Sequence, residues 1–303
     1  MLGIYMDTLP LGFNHKQRIN KAKAWSQNDI HFFDLPSVTL RYRFVESNSN
    51  LKQLPTLVII PDPPVMIEHY TSLVESLRNH CNILLFEMPG FGFSLPKRNF
   101  KMDSDDLNEI YAIFLKSINK GPYILNFPCL SGLSAAYLIH NHPELACGLI
   151  LTQTATKTHS INWRKTVDPK NILGTPVLGQ LLLRSQRRNI TRGWLKTVLH
   201  NKELLNPYSD ACNEAYNHGA CFCLASGLQG LVTPKLPEHE PVDTPALVIW
   251  GMHDKTHKKT VKEDTLKLAK HAQLEEFEHS GHFPDLEEPD KFTESIAKFI
   301  HHV

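Results

Sequence analysis

Five short apolar runs, each followed by helix-forming sequence, constrain this chain more than any other feature. T-L-V-I-I (56–60), I-L-L-F (83–86), Y-I-L-N-F (123–127), G-L-I-L (148–151) and A-L-V-I-W (246–250) carry no polar alternation. An antiparallel strand with one wet face alternates; a run apolar on both sides belongs in a parallel sheet covered above and below. Between the runs lie segments with helical spacing, at 68–79, 104–118 and 130–141. Strand and helix therefore alternate, which predicts a mostly parallel sheet with helices on both faces. Upstream, I-H-F-F-D-L-P-S-V-T-L-R-Y-R-F-V-E (30–46) alternates about Pro36-Ser37 and reads as an antiparallel hairpin.

The alternation stops near Thr152. Residues 155–240 hold helical stretches such as L-G-Q-L-L-L-R-S-Q-R-R, with Pro, Asn and Gly breaks between them. It resumes at 246–250, with a helix over 260–270, a short strand L-E-E-F-E and a last helix over 289–301. The organisation expected is a core of 26–154 and 241–303, a helical cap inserted at 155–240, and an N-terminal extension of 1–25.

Composition narrows the function classes. A formal net charge of +1, with 42% hydrophobic and 21% charged residues, offers no nucleic-acid or membrane-surface signature. No run of 18 apolar residues suggests a membrane span, and the start carries no signal-peptide pattern. The six Cys at 81, 129, 147, 212, 221 and 223 lack paired spacing, so a reduced, cytoplasmic chain is expected. C-F-C at 221–223 is too small a ligand set to imply a metal. No phosphate loop or dinucleotide fingerprint is present, and no cofactor or metal is expected.

Four segments, in order and spacing, give the chain a resemblance to the α/β-hydrolase superfamily, in its capped branch of haloalkane dehalogenases, epoxide hydrolases and esterases. F-E-M-P-G-F-G-F-S (86–94) resembles the turn D-x-P-G-x-G-x-S, with Glu87 for Asp. P-C-L-S-G, ahead of H-P-E (142–144), resembles the nucleophile elbow G-x-S-x-G and its helix. W-G-M-H-D (250–254) and S-G-H-F-P-D-L-E-E-P-D-K-F (280–292) resemble the acid and histidine loops. The resemblance spans about residues 30–301 and implies the α/β-hydrolase fold with a cap.

It also implies site positions. Counting along the strand P-Y-I-L-N-F-P-C and back from His142 both put the nucleophile at Cys129; Ser134 leaves too short a helix, and Ser131 falls on the second glycine of the elbow. Asp254 and His282 take the acid and base positions, giving the order nucleophile, acid, base. A thiol at a helix start beside an imidazole should be held as thiolate. The alternative is a small buried residue in a site without turnover.

Three departures stand out. Asp62 and Pro63 occupy the loop that normally reads H-G-x-P, and Pro63 has no N–H to lend an oxyanion. The N–H of Leu130 remains as the one donor. Phe127 replaces the first elbow glycine and should add bulk under or beside the nucleophile. Three readings follow: a Cys129–His282–Asp254 acyl hydrolase or acyltransferase with an altered oxyanion hole, a His282–Asp254 general base with no covalent step, and a non-catalytic binder of ligand or partner in the same cleft. Without an Asp nucleophile, dehalogenase and epoxide-hydrolase chemistry are disfavoured.

The cap should shape an apolar pocket for a small acyl or carbonyl substrate, with Trp163, Trp194, Phe222 and Leu181–Leu183 as lining or as cap core. The basic run R-S-Q-R-R-N-I-T-R (184–192) reads as a steering surface or a solvated face. Residues 1–25 could pack on the core, reach a homodimer partner, or be disordered.

Overall fold

The computed structural model describes residues 2–8, 15–49, 54–233, 236 and 238–303. Two helices open the chain, α1 (Leu2–Thr8) and α2 (His15–Trp25). The hairpin follows as β1 (Ile30–Asp34) and β2 (Val38–Val45), then β3 (Thr56–Ile59), α3 (Thr71–Leu77) and β4 (Asn82–Phe86). Two short strands, β5 (Phe91–Gly92) and β6 (Leu95–Pro96), precede α4 (Ser104–Ile118), β7 (Tyr123–Asn126), α5 (Ser131–Asn141) and β8 (Ala146–Thr152). The helices α6 (Lys157–Val167), α7 (Leu178–Val198), α8 (Leu205–Asn217) and α9 (Leu224–Gly230), with the short strand β9 (Cys221–Phe222), separate β8 from β10 (Ala246–Gly251). The chain closes with β11 (Ala272–Phe277), α10 (Pro284–Glu287) and α11 (Pro289–Ile300).

The main sheet runs β1-β2-β4-β3-β7-β8-β10-β11, with β6 on β2. Its last six strands are parallel, and the hairpin adds the antiparallel edge. Leu57 and Ile59 enter one apolar cluster while Val58 and Ile60 enter the other, which is why the runs show no alternation. On the first face lie α3 and α11, through Leu73, Val74, Leu77, Phe292, Ile296 and Phe299; α4 and α5 cover the second, through Tyr111, Phe114, Ala136 and Ile139. Each such large side chain contributes about 1.5–3 kcal/mol by leaving water.

Residues 260–270 differ from the expected α-helix. Lys262–Leu268 form a 3₁₀ helix in which only Thr265 is buried; K-E-D-T-L-K-L lacks the apolar stripe that would hold a longer helix on the core. The first helices, without counterpart in the expected pattern, pack on the body. Ile4 and Ala22 are buried, and α1 lies against α7 and α9.

The turn F-E-M-P-G-F-G-F-S is held by a buried charge cluster. Arg41, fully buried, donates to Glu87 at 2.8 Å and pairs with Glu68. Glu87 in turn accepts the Phe93 N–H at 2.6 Å. Gly92 has φ +52°, and a Cβ there would stand 2.4 Å from the Glu87 carboxylate, so that position needs glycine.

Candidate active site

Cys129 sits where β7 hands over to α5. Its backbone is left-handed, φ +51°, a conformation that costs a residue with a Cβ about 1–3 kcal/mol. Backbone bonds hold it there: Cys129 N–H donates to the Thr152 carbonyl at 2.9 Å, and its own carbonyl accepts from Gly132 at 3.2 Å. A Cβ on Gly132 would lie 2.1 Å from the Thr154 hydroxyl, so glycine at this point lets the helix start approach the end of β8.

Asp254 follows β10 and His282 lies in the loop before α10; the fold brings both beside Cys129. His282 Nδ1 bonds Asp254 Oδ2. That carboxylate is fixed on its far oxygen by the Thr256 N–H and hydroxyl, at 2.8 and 2.7 Å. Gln153 supplies a further anchor that the sequence did not reveal. Its side-chain amide donates to Asp254 Oδ2 at 3.1 Å and accepts the Gly251 N–H at 2.8 Å. His257 was also missed. It stacks on the His282 ring, centroids 5.5 Å apart, while Trp163 stacks on His257 and Trp194 meets His282 edge-on.

Asp62 changes the electrostatics. Its Oδ2 lies 3.0 Å from His282 Nε2, so one imidazole is bracketed by two carboxylates. The Cys129 sulfur lies within 4.8 Å of the His282 ring nitrogen and of the Asp62 carboxylate oxygen. Burial opposes charge on His282, but Asp254, then Cys129 and Asp62, raise its pKa well above the usual imidazole value. For Asp254 burial works upward and is overcome by the His282 charge and hydrogen bond, leaving the carboxyl below its ordinary range. The Cys129 thiol moves the other way from the expectation. Burial, then the Asp62 charge, push its pKa up, and the His282 and Leu130 contacts do not compensate. The two carboxylates thus favour the charged imidazole, while burial and Asp62 disfavour the thiolate.

A cavity of about 400 Å³ opens over these groups. Asp62, Pro63, Cys129, Leu130 and Ser131 form one end; Trp163, Trp194, Phe91 and Phe222 stand among its apolar walls. Phe127 is not there. Fully buried, it packs edge-on against Phe86 and Tyr111 in the core, so its bulk lies under the turn and not in the pocket. Leu181–Leu183 also stay out: Leu181 is exposed and Leu183 is buried in the protein core. Of the basic run only Ile190 reaches the cavity; Arg188 and Arg192 turn to Asn217 and Asn206 on α8.

Cys221 and Cys223 lie elsewhere, beside α2, where Arg18 donates to the Cys221 sulfur at 2.8 Å. Two groups of candidate metal ligands occur among the described residues, Asp62-Cys129-His282 and Asp254-His257-His282, and neither includes this pair. No helix among the described residues is long and apolar enough to cross a membrane.

A strand-to-helix turn with a left-handed sulfur residue, an acid after β10 and a histidine before α10 agree with what comparison with known proteins finds. The family model of the alpha/beta hydrolase fold matches residues 55–289, and the chain belongs to that family. Among solved structures it is similar to the epoxide hydrolase of Bacillus megaterium, at 14% identity and TM-score 0.70 over 89% of this chain and 100% of that one. It is similar also to an esterase from Exiguobacterium antarcticum, at 16% identity and TM-score 0.65 over 87% and 96%. MenH from S. aureus gives 16% identity and TM-score 0.67 over 88% and 99%. No curated protein sequence matches the chain.

Proposed function

We propose that the protein cleaves or transfers the acyl group of a small apolar ester or thioester, with Cys129 as nucleophile, His282 as its base and Asp254 fixing the imidazole. Residues 155–240 act as the cap that closes an apolar acyl pocket over the sulfur. The observation that carries this reading is the left-handed Cys129 at one end of the cavity, its sulfur within 4.8 Å of the ring nitrogen of a His282 that Asp254 anchors from behind.

The bracketing by Asp62 defines the step that must come first. While Asp62 holds Nε2, the imidazole cannot accept the thiol proton. A substrate carbonyl entering over Cys129 displaces Asp62, which carries the Nε2 proton away as a carboxylic acid; the neutral imidazole then takes the thiol proton as sulfur attacks. Pro63 offers no N–H, so the oxyanion relies on Leu130 N–H and a side-chain donor. Ser131 fits that role: it lines the cavity, is 4% exposed, and its buried hydroxyl has no hydrogen-bond partner among the described residues.

The test is turnover on p-nitrophenyl esters and matching thioesters of increasing chain length, for the native chain and for Cys129→Ala, His282→Ala and Ser131→Ala. The first two should lose about a thousandfold or more, as members of one catalytic unit. Ser131→Ala should lose about a hundredfold in kcat. Equal turnover by Cys129→Ala would remove the covalent reading and leave a His282–Asp254 base.

A further inference from the structure

Asp62 is difficult to place in an acyl-transfer site, because it puts negative charge where an oxyanion would form. The same carboxylate, taken with its neighbours, has another meaning. Asp62 oxygen, Cys129 sulfur and His282 nitrogen all lie within 4.8 Å of one another, and the Asp62–His282 separation is 3.0 Å. A tetrahedral zinc with bonds of about 2.0–2.3 Å holds such ligand atoms roughly 3.3–3.6 Å apart. That spacing falls within the 4.8 Å that spans the three ligand atoms.

We propose that Asp62, Cys129 and His282 form a three-ligand site for a borderline-soft divalent cation, best matched by zinc. One sulfur, one imidazole nitrogen and one carboxylate oxygen suit zinc and exclude the hard cations that want only oxygen. The surroundings are those of a built site. Asp254 holds Nδ1 and so directs Nε2 toward the ion, the carboxylate–histidine arrangement that raises ligand basicity. Thr256 and Gln153 fix Asp254 in turn. Trp194 stands edge-on to the His282 ring with Trp163 beside it, and Asp62 and Cys129 line the cavity, which would give a fourth ligand access. Two departures from the hydrolase pattern, Cys129 and Asp62, become the two anionic ligands. With the ion bound, the Cys129 lone pair is held on metal and withheld from acyl transfer. The site does not rest on the acyl-transfer reading, since binding requires no turnover.

The experiment titrates the metal-free full chain with cobalt(II) and reads the visible and near-ultraviolet spectrum. One equivalent should produce tetrahedral d–d bands and a thiolate-to-cobalt charge-transfer band, both abolished by one equivalent of zinc. Cys129→Ser should lose the charge-transfer band. Asp62→Asn should weaken cobalt binding at least tenfold while keeping the native circular dichroism. No charge-transfer band in the native chain overturns the proposal. So does a band that persists in Cys129→Ser, which would assign cobalt to another thiol such as Cys221. Because the readout is spectral, an inactive protein that binds cobalt supports the site and counts only against the acyl-transfer reading.

Discussion

At the scale of single residues, the behaviour of Cys129 depends on what surrounds it more than on its place in the chain. A thiol at a helix start beside histidine reads, from sequence, as a thiolate. Burial and Asp62 reverse that. Asp62→Asn removes a charge that disfavours thiolate and also removes one of the partners that keep His282 protonated. Iodoacetamide labelling of Cys129 should therefore set in at lower pH in that variant than in the native chain; superimposed pH profiles would show that Asp62 does not govern the sulfur. His257 gives a second residue-scale prediction. Burial lowers its pKa to about 4. A group depressed in the fold and ordinary when unfolded costs stability as pH falls from about 6.5 through 4, by about 3 kcal/mol at the limit. The stability lead of the native chain over His257→Gln should shrink by that order between pH 6.5 and 4, measured by denaturant unfolding; a constant difference would contradict it.

At the scale of elements, the strands and the main helices were legible because both faces of the parallel sheet are covered, and period-2 burial on two faces leaves uninterrupted apolar runs. Helix α4 spans 104–118 as its periodicity predicts, capped by Asp103 accepting the Asp106 N–H. The spacing of their segments picked out Cys129, Asp254 and His282, and the fold brings the three together at the end of β7, after β10 and before α10; the roles given to them are proposals. What could not be read was contact between loops. Asp62 against His282, Gln153 against Asp254 and His257 stacked on His282 join residues 220, 101 and 25 apart, and no local pattern marks them. Of the two places open to Phe127, under or beside the nucleophile, its side chain takes the one beneath the turn, in the core and out of the pocket. The turn itself can be tested. Gly132→Ala drives a methyl against Thr154 and should cost about 1–3 kcal/mol in unfolding free energy. Shortening Thr154 to Gly in the same chain should recover part of it, and additive costs would show that the two do not meet.

At the scale of the whole molecule, the N-terminal helices are stitched to the helices between β8 and β10. Asp7 on α1 accepts from the Ser226 hydroxyl on α9 at 2.5 Å. Burial raises its pKa to about 6, against which the Ser226 bonds pull down. An acid with a raised folded pKa costs stability once pH rises above its unfolded value, here by up to about 3 kcal/mol above pH 6. Asp7→Asn should unfold at higher denaturant than the native chain at pH 8 and at an equal concentration near pH 4. A variant no more stable at pH 8 would mean that Asp7 is not held charged against burial. The cavity itself lies between the strand ends that carry Cys129 and Thr256 and the helices that separate β8 from β10, through Trp163, Trp194 and Leu224.

The covalent role of Cys129 is tested most directly by trapping the acyl group. The protein is mixed with a short-chain p-nitrophenyl ester, quenched in acid within the first turnovers, and its intact mass is measured. The account predicts one added acyl mass on the native chain, mapped to the peptide containing Cys129, and none on Cys129→Ala or His282→Ala. Turnover without an adduct, or an adduct that survives in Cys129→Ala, would contradict it.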